Sequence, residues 1–211
     1  MRFKLLACEI FRHEISAVMA QSPHQIDVEF LPMQLHTAGR KRMKSRLIEF
    51  LAAVNEEGYD ALLLAYGLCS GGTAGLSAGT IPMVIPRAHD CITLFLGSRQ
   101  RYQDYFFANG GTYFLTSGWC ETENAFDYDP EMMPFYNKVA FIEMGVGAEE
   151  SLAQQARGLA EERNWEFELI PGDLSLFRRF LNGDWNEDFL IVPPGRQIRE
   201  SYDDYVIEVT P

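Results

Sequence analysis

An α/β fold, a parallel sheet flanked by helices, is what this sequence predicts, and three observations predict it. Short apolar runs alternate with longer amphipathic stretches along the whole chain, the mark of βα units rather than of hairpins. Three of those runs, in LLAC, ALLLAYGLC and MVIPRAHDC, read as buried strands. The 211 residues, 47% of them hydrophobic, are enough for one large core or for two small halves packed together.

The elements follow in order. Strands are expected from Phe3 to Ala7, Asp27 to Leu31, Ala61 to Tyr66, Pro82 to Pro86, Thr112 to Thr116, Lys138 to Met144, Glu166 to Ile170 and Phe189 to Val192. The segment EIFRHEI after Cys8 reads as a helical start. Met43 to Glu56 is the clearest helix, because Met43, Leu47, Phe50, Leu51 and Val54 recur at i, i+3, i+4 spacing on one face. Ile92 to Phe107 and Glu149 to Arg163 come next. Asp173 to Ser175 open a further helix, with an acidic residue ahead of LSLFRRFL as the cap and Gly183 as the stop.

Residues 121–137 break the pattern with acidic residues, Asn124, Pro130 and Pro134. They read as a loop between halves, and the shorter βα pattern from Lys138 to Val192 follows. The expectation is therefore one domain over 1–211 made of two small Rossmann-like lobes, 1–120 with the cysteines and 138–211, or else one sheet with an irregular insertion.

Composition excludes some classes. No apolar run approaches the roughly 20 residues needed to cross a bilayer, and MRFKLLACEI is too soon interrupted by charge for a signal peptide. A cytoplasmic protein is expected, in which four cysteines stay reduced and serve as packing residues, ligands or nucleophiles. The net charge of −12 argues against nucleic acid, and the basic cluster Arg40 to Arg46 reads as the solvated opening of a helix.

The carboxyl ends of parallel strands share one edge, where ligands bind, so Cys8, Cys69 and Cys91 are expected to converge there. Cys8 ends the first strand just before a helix, where a thiolate is favoured. Cys69 sits in YGLCSGGTAGLSAG, whose glycines, Gly71 and Gly72 among them, let backbone approach a ligand. That run matches neither GxGxxG nor the P-loop. In PRAHDC, imidazole and thiolate stand together at a strand end, a borderline-soft pair suited to zinc, and Asp90 orients His89 or caps the next helix. His36 follows the second strand and reaches for the same edge, whereas Cys120 after the fifth strand is an optional ligand. His13 and His24 read as structural or surface residues. Gly145 and Gly147 lie between a strand and a helix and offer N–H groups to an anion, with an ordinary tight turn as the plainer reading. Arg87 and Arg99 are candidate anion partners or surface ion-pair residues.

The segments ACE, YGLCSGGTAGLSAG, IPMVIPRAHDCITLFLGSRQRYQDYF, GTYFLTSGW and GDWNEDFLIVPPG resemble those of DUF1638, a family of unknown function. The resemblance spans nearly the whole chain. It implies a bacterial or archaeal cytoplasmic protein similar to ones met alongside corrinoid-dependent methyl transfer. It matches Cys8, His36, Cys69, His89 and Cys91 to the family's characteristic polar residues, whereas Cys120 departs from the pattern.

Two chemistries fit. Zinc held by Cys69, His89 and Cys91, or by Cys8 in place of one, would leave a position where a substrate thiol or water is deprotonated, with a corrinoid protein as a possible partner in methyl transfer. Alternatively Cys8, Cys69 and Cys91 hold three irons of a [4Fe–4S] cluster in a dehydratase- or desulfurase-like enzyme, with His89 and Asp90 as acid–base residues. A non-catalytic carrier of metal or corrinoid is the reading from a different class, and simple packing of the cysteines the plainest. A homodimer is expected, the helix face of Tyr102, Tyr105, Phe106 and Phe107 packing within the chain or across it.

Overall fold

A computed structural model describes residues 1–37, 39–122 and 135–210, and of residues 36 and 37 the backbone alone. The α/β expectation holds. The large sheet contains β1 (Arg2–Cys8), β2 (Gln25–Leu31), β3 (Ala61–Ala65), β4 (Met83–Pro86) and β8 (Phe189–Val192), in the order β2-β1-β3-β4-β8. Its first four strands are parallel, and β8 closes the edge antiparallel to β4. A small parallel sheet has the order β5-β6-β7, from β5 (Thr112–Leu115), β6 (Lys138–Glu143) and β7 (Glu166–Pro171). A short antiparallel ribbon joins β9 (Ile198–Glu200) to β10 (Ile207–Val209). All eight expected strands are present. The ribbon strands, three residues each, are too short to carry a period and went unread.

Burial explains the order. Strands β3 and β4 are buried at every residue, as central strands covered on both faces must be, whereas β2 and β7 at the edges are largely half-exposed. The small sheet shows the two-residue period that joins the layers. Val139 and Phe141 pack with Leu152, Ala156 and Leu159 of α7 (Glu149–Arg163), while Ala140 and Ile142, on the other face, enter the core of the large sheet. Each large apolar side chain so buried contributes about 1.5–3 kcal/mol.

The strands are not shared out along the line between 120 and 138. β5, from the first stretch, pairs with β6, and β8, from the second, returns to β4. Of the loop expected at 121–137, residues 123–134 with Asn124, Pro130 and Pro134 lie outside the described residues.

The helices largely follow the periodicity. After a 3-10 turn at Glu9–Phe11 come α1 (Arg12–Met19), α2 (Gln34–Thr37) and α3 (Arg40–Ala53), the last opening in the basic cluster. The helix expected from Ile92 to Phe107 is two, α4 (Cys91–Leu96) and α5 (Arg99–Ala108). Gly97 at φ +72° ends the first in a left-handed cap, and Ser98 Oγ accepts from Arg101 N to start the second. A Cβ on Gly97 would stand 2.7 Å from Asp173 Cβ, so the break is also a packing point. The short α6 (Ser117–Cys120) and α8 (Ser175–Leu181) complete the set, and no helix of the described residues is long and apolar enough to cross a membrane.

Candidate functional site

In the order β2-β1-β3-β4 the chain leaves β1 to one side and resumes with β3 on the other, so the strand order reverses between β1 and β3. Open α/β sheets bind ligands in the crevice outside such a reversal. Cys8 is the last residue of β1, and Tyr66 and Cys69 follow β3 directly. These three, with Cys91 at the start of α4, line one small cavity that Met33, Met43 and Trp119 help to close. About 20 Å³ is left free there for an occupant, room for a single water-sized sphere.

Backbone contacts hold the loops that carry the thiols. Leu68 N donates to Ala88 O at 2.7 Å, and Cys69 N to His89 O at 2.9 Å. A Cβ on Gly67 would stand 2.8 Å from Asp90 Cα, so only glycine lets the two loops approach this closely. Cys69 and Ser70 both take left-handed backbone, at φ +47° and +56°. For non-glycine residues that conformation is strained, and strain of this kind gathers at functional sites.

The thiols sit in a desolvated neighbourhood. Burial pushes Cys8 up to about 11 and Cys69 up to about 12, and Cys91 well above the ordinary thiol value. Asp90 and the other thiols add to the rise at Cys91. The backbone N–H groups of Ile10 and Glu9 act on Cys8 in the opposite sense. The Tyr66 hydroxyl is buried beside Cys8 and Cys69; among the described residues it makes no hydrogen bond of ordinary geometry and meets only the weak partner that the Cys8 thiol offers. Burial first, then the neighbouring thiols, raise its phenol above the usual range. A buried hydroxyl left without a partner costs on the order of 1–3 kcal/mol.

His89 is arranged differently from the expected ligand set. Its side chain is exposed and does not line the thiol cavity, and its ring stacks on Tyr102 with centroids 6.0 Å apart. The residue just after a strand end takes whichever direction its loop imposes, which spacing does not reveal. Asp90 caps α4, its Oδ1 accepting from Ile92 N at 3.0 Å, while its Oδ2 accepts from Tyr102 Oη at 2.9 Å. His36 lies in α2 after β2, and its side chain is outside the described residues. Among the described residues no three His, Cys, Asp or Glu side chains stand ready-made about one ion.

The other singled-out residues are engaged elsewhere. Cys120 is buried in the α7 core of the small sheet, away from the thiol cavity. Gly71 and Gly72 pack on Arg40, Glu200 and Met43. Of the N–H groups offered near Gly145 and Gly147, two are answered by the chain itself, since Glu149 accepts from Met144 N at 2.5 Å and Gly145 N at 2.9 Å. Arg87 donates to the carbonyls of Phe189, Tyr205 and Ile207, and Arg99 reaches Asp188 and the Asp204 carbonyl, so both clamp the C-terminal segment. His13 pairs with Glu121 at 2.8 Å and His24 with Asn182 O at 3.0 Å, in structural roles. Sequence reasoning missed Tyr66 and Trp119. Tyr66 carried a usable signal, being a polar-tipped residue three positions ahead of Cys69 at a strand end.

A family model described as a protein of unknown function, DUF1638, matches residues 30–181 and so covers Cys69, His89 and Cys91 but not Cys8. No curated protein and no solved structure matches the chain.

Proposed function

The chain belongs to the DUF1638 family of unknown function, and from the thiol cavity we propose that it is a metal-binding protein whose Cys8, Cys69 and Cys91 hold one zinc ion. The observation that carries this reading is the convergence of three thiols and the buried Tyr66 hydroxyl on one small cavity. Desolvation keeps those thiols protonated as they stand, and a bound cation reverses that balance, because a coordinating thiol gives up its proton. The free space suits a single ion. Coordination requires the three sulfurs to close on it by rotation about χ1, between staggered positions open to an unbranched side chain.

Three thiolates leave one position of a tetrahedral zinc site for a substrate. A thiol bound there would be activated as a nucleophile, which suits alkyl transfer, including methyl transfer from a corrinoid protein. Tyr66 would donate a hydrogen bond to the atom that fills the position. Asp90 and His89, outside the cavity, would act on the substrate rather than on the ion. The convergence of three cysteines without an imidazole also suits a second reading, a [4Fe–4S] cluster with one open iron, for which the cavity would have to open well beyond its present space.

Anaerobic purification followed by metal analysis and a visible spectrum tests both. Colourless protein with stoichiometric zinc is expected. A brown protein with matching iron and sulfide would replace zinc by the cluster, and a protein that takes up neither metal would remove the metal reading. His89→Gln then separates an enzyme, which loses turnover while folded, from a carrier, which keeps its cargo and loses nothing.

A further inference from the structure

A larger space opens beside the thiol cavity, and Cys91 and Trp119 belong to the walls of both. Its volume of ≈ 490 Å³ lies within the range of small-molecule pockets. Helix α5 contributes Tyr102 and Phe106, whose rings stack 5.8 Å apart at 17°, and β5 contributes Tyr113 and Phe114. Among the described residues lining this cleft, Asp90 is the one charged side chain. It accepts from Ile92 N and Tyr102 Oη and forms no ion pair among the described residues. Burial raises the Asp90 carboxyl above the ordinary carboxylate range, and the Tyr102 hydroxyl, the N–H groups of Ile92 and Thr93 and lastly His89, exposed beside Tyr102, act in the opposite sense.

Aromatic faces carry the negative side of a quadrupole and attract cations, the more so where water is excluded. A carboxylate among such faces adds to that attraction. With no lysine or arginine among the described residues of the lining, a phosphate or carboxylate ligand would find no fixed positive charge in the cleft and would be repelled by Asp90. We infer that the cleft binds an organic cation, an ammonium group carried on a flat apolar body, with the ammonium at Asp90 and the body among the rings. The cation would then be held beside Cys91 as the substrate of the thiol site. That role rests on the metal reading above, whereas binding itself does not.

The test uses three probes of matched size and different charge: phenethylammonium, 2-phenylethanol and phenylacetate. Calorimetric titration of the purified full-length chain, with and without chelator, measures each. Phenethylammonium is expected to bind about tenfold or more tightly than the alcohol, with no binding of phenylacetate. Asp90→Asn, which keeps an oxygen to cap α4, should bring the ammonium down to the affinity of the alcohol. Phe106→Ala, at a half-exposed position, should fold normally and weaken the cation. Equal binding of alcohol and ammonium, preference for phenylacetate, or no binding of any probe would overturn the inference. Cation binding that persists after chelation keeps it standing even if the metal assignment fails.

Discussion

The two sheets end in loops of the same origin and opposite finish. At the small sheet the chain answers most of its own polar groups. Thr116 Oγ1 accepts from Trp119 N at 3.3 Å, Glu149 covers Met144 N and Gly145 N, and Asp173 Oδ1 accepts from Ser175 N at 2.7 Å. Ser117 Oγ, buried without a partner among the described residues, is the exception there. At the large sheet the reversal between β1 and β3 carries three desolvated thiols, a buried phenol whose weak partner is one of them, and two left-handed non-glycine residues. Caps and turns that close on themselves serve folding. Strain and unmet polar groups occur elsewhere too, as at Asn164, Val206 and Glu14, but at the reversal they gather together, as they do where something outside the fold recovers their cost.

The largest effect that would break this contrast is loss of metal. Cys91→Ser should lose stoichiometric metal while Cys120→Ser retains it, measured as metal per folded chain. Equal loss from both would erase the distinction between the edges.

Next comes Glu14 of α1, fully buried, its carboxylate oxygens without partners among the described residues. Burial pushes it from 4.5 up to about 7. Below the ordinary value the group is neutral in both states and costs nothing. As pH rises from there to about 7, the unfolded chain ionises first and stability falls, reaching a full cost of about 3 kcal/mol at higher pH. Glu14→Gln should therefore raise the urea midpoint at pH 8 and leave it nearly unchanged at pH 4. An equal gain at both values would mean that the carboxyl does not titrate in this range.

Glycines sharpen the comparison further. Gly67→Ala should destabilise by about 2–3 kcal/mol, because its Cβ meets the Asp90 backbone. Gly145→Ala, with nothing within 4 Å but φ at +72°, should cost only the left-handed penalty of about 1 kcal/mol. Denaturant melts of the two variants read the difference directly, and a reversed order would contradict the close packing of the large-sheet loops.

The smallest effect has the opposite sign. Cys69→Gly should stabilise the metal-free chain by about 1 kcal/mol, since glycine adopts φ +47° without strain. The same variant should lose metal, so stability would rise as binding falls. A destabilised variant would show that the lost packing of the thiol and the added freedom of the unfolded chain outweigh the strain of the turn.

The strands were legible because the signals that make them are local. ALLLA has no polar face to hide and must be central, and Val139 to Ile142 reads the same way, with the structure adding which face meets which layer. The break at Gly97 was not legible, since the apolar pattern runs through it and only the contact with Asp173 reveals its purpose. Among site residues, Cys8, Cys69 and Cys91 could be placed together because each follows a strand of one sheet. His89 could not be placed, because the direction of a side chain in a loop depends on neighbours far away in sequence, here Tyr102.

By itself the sequence determined the α/β class, the eight longer strands and the edge at which the cysteines gather, because periodicity and strand ends are properties of short segments. Only the tertiary structure decided that Tyr66 joins the three thiols while His89 turns to Tyr102, that Cys120 packs against α7, and that Asp90 faces an aromatic cleft. Those outcomes depend on contacts between residues distant along the chain, and no local spacing encodes them.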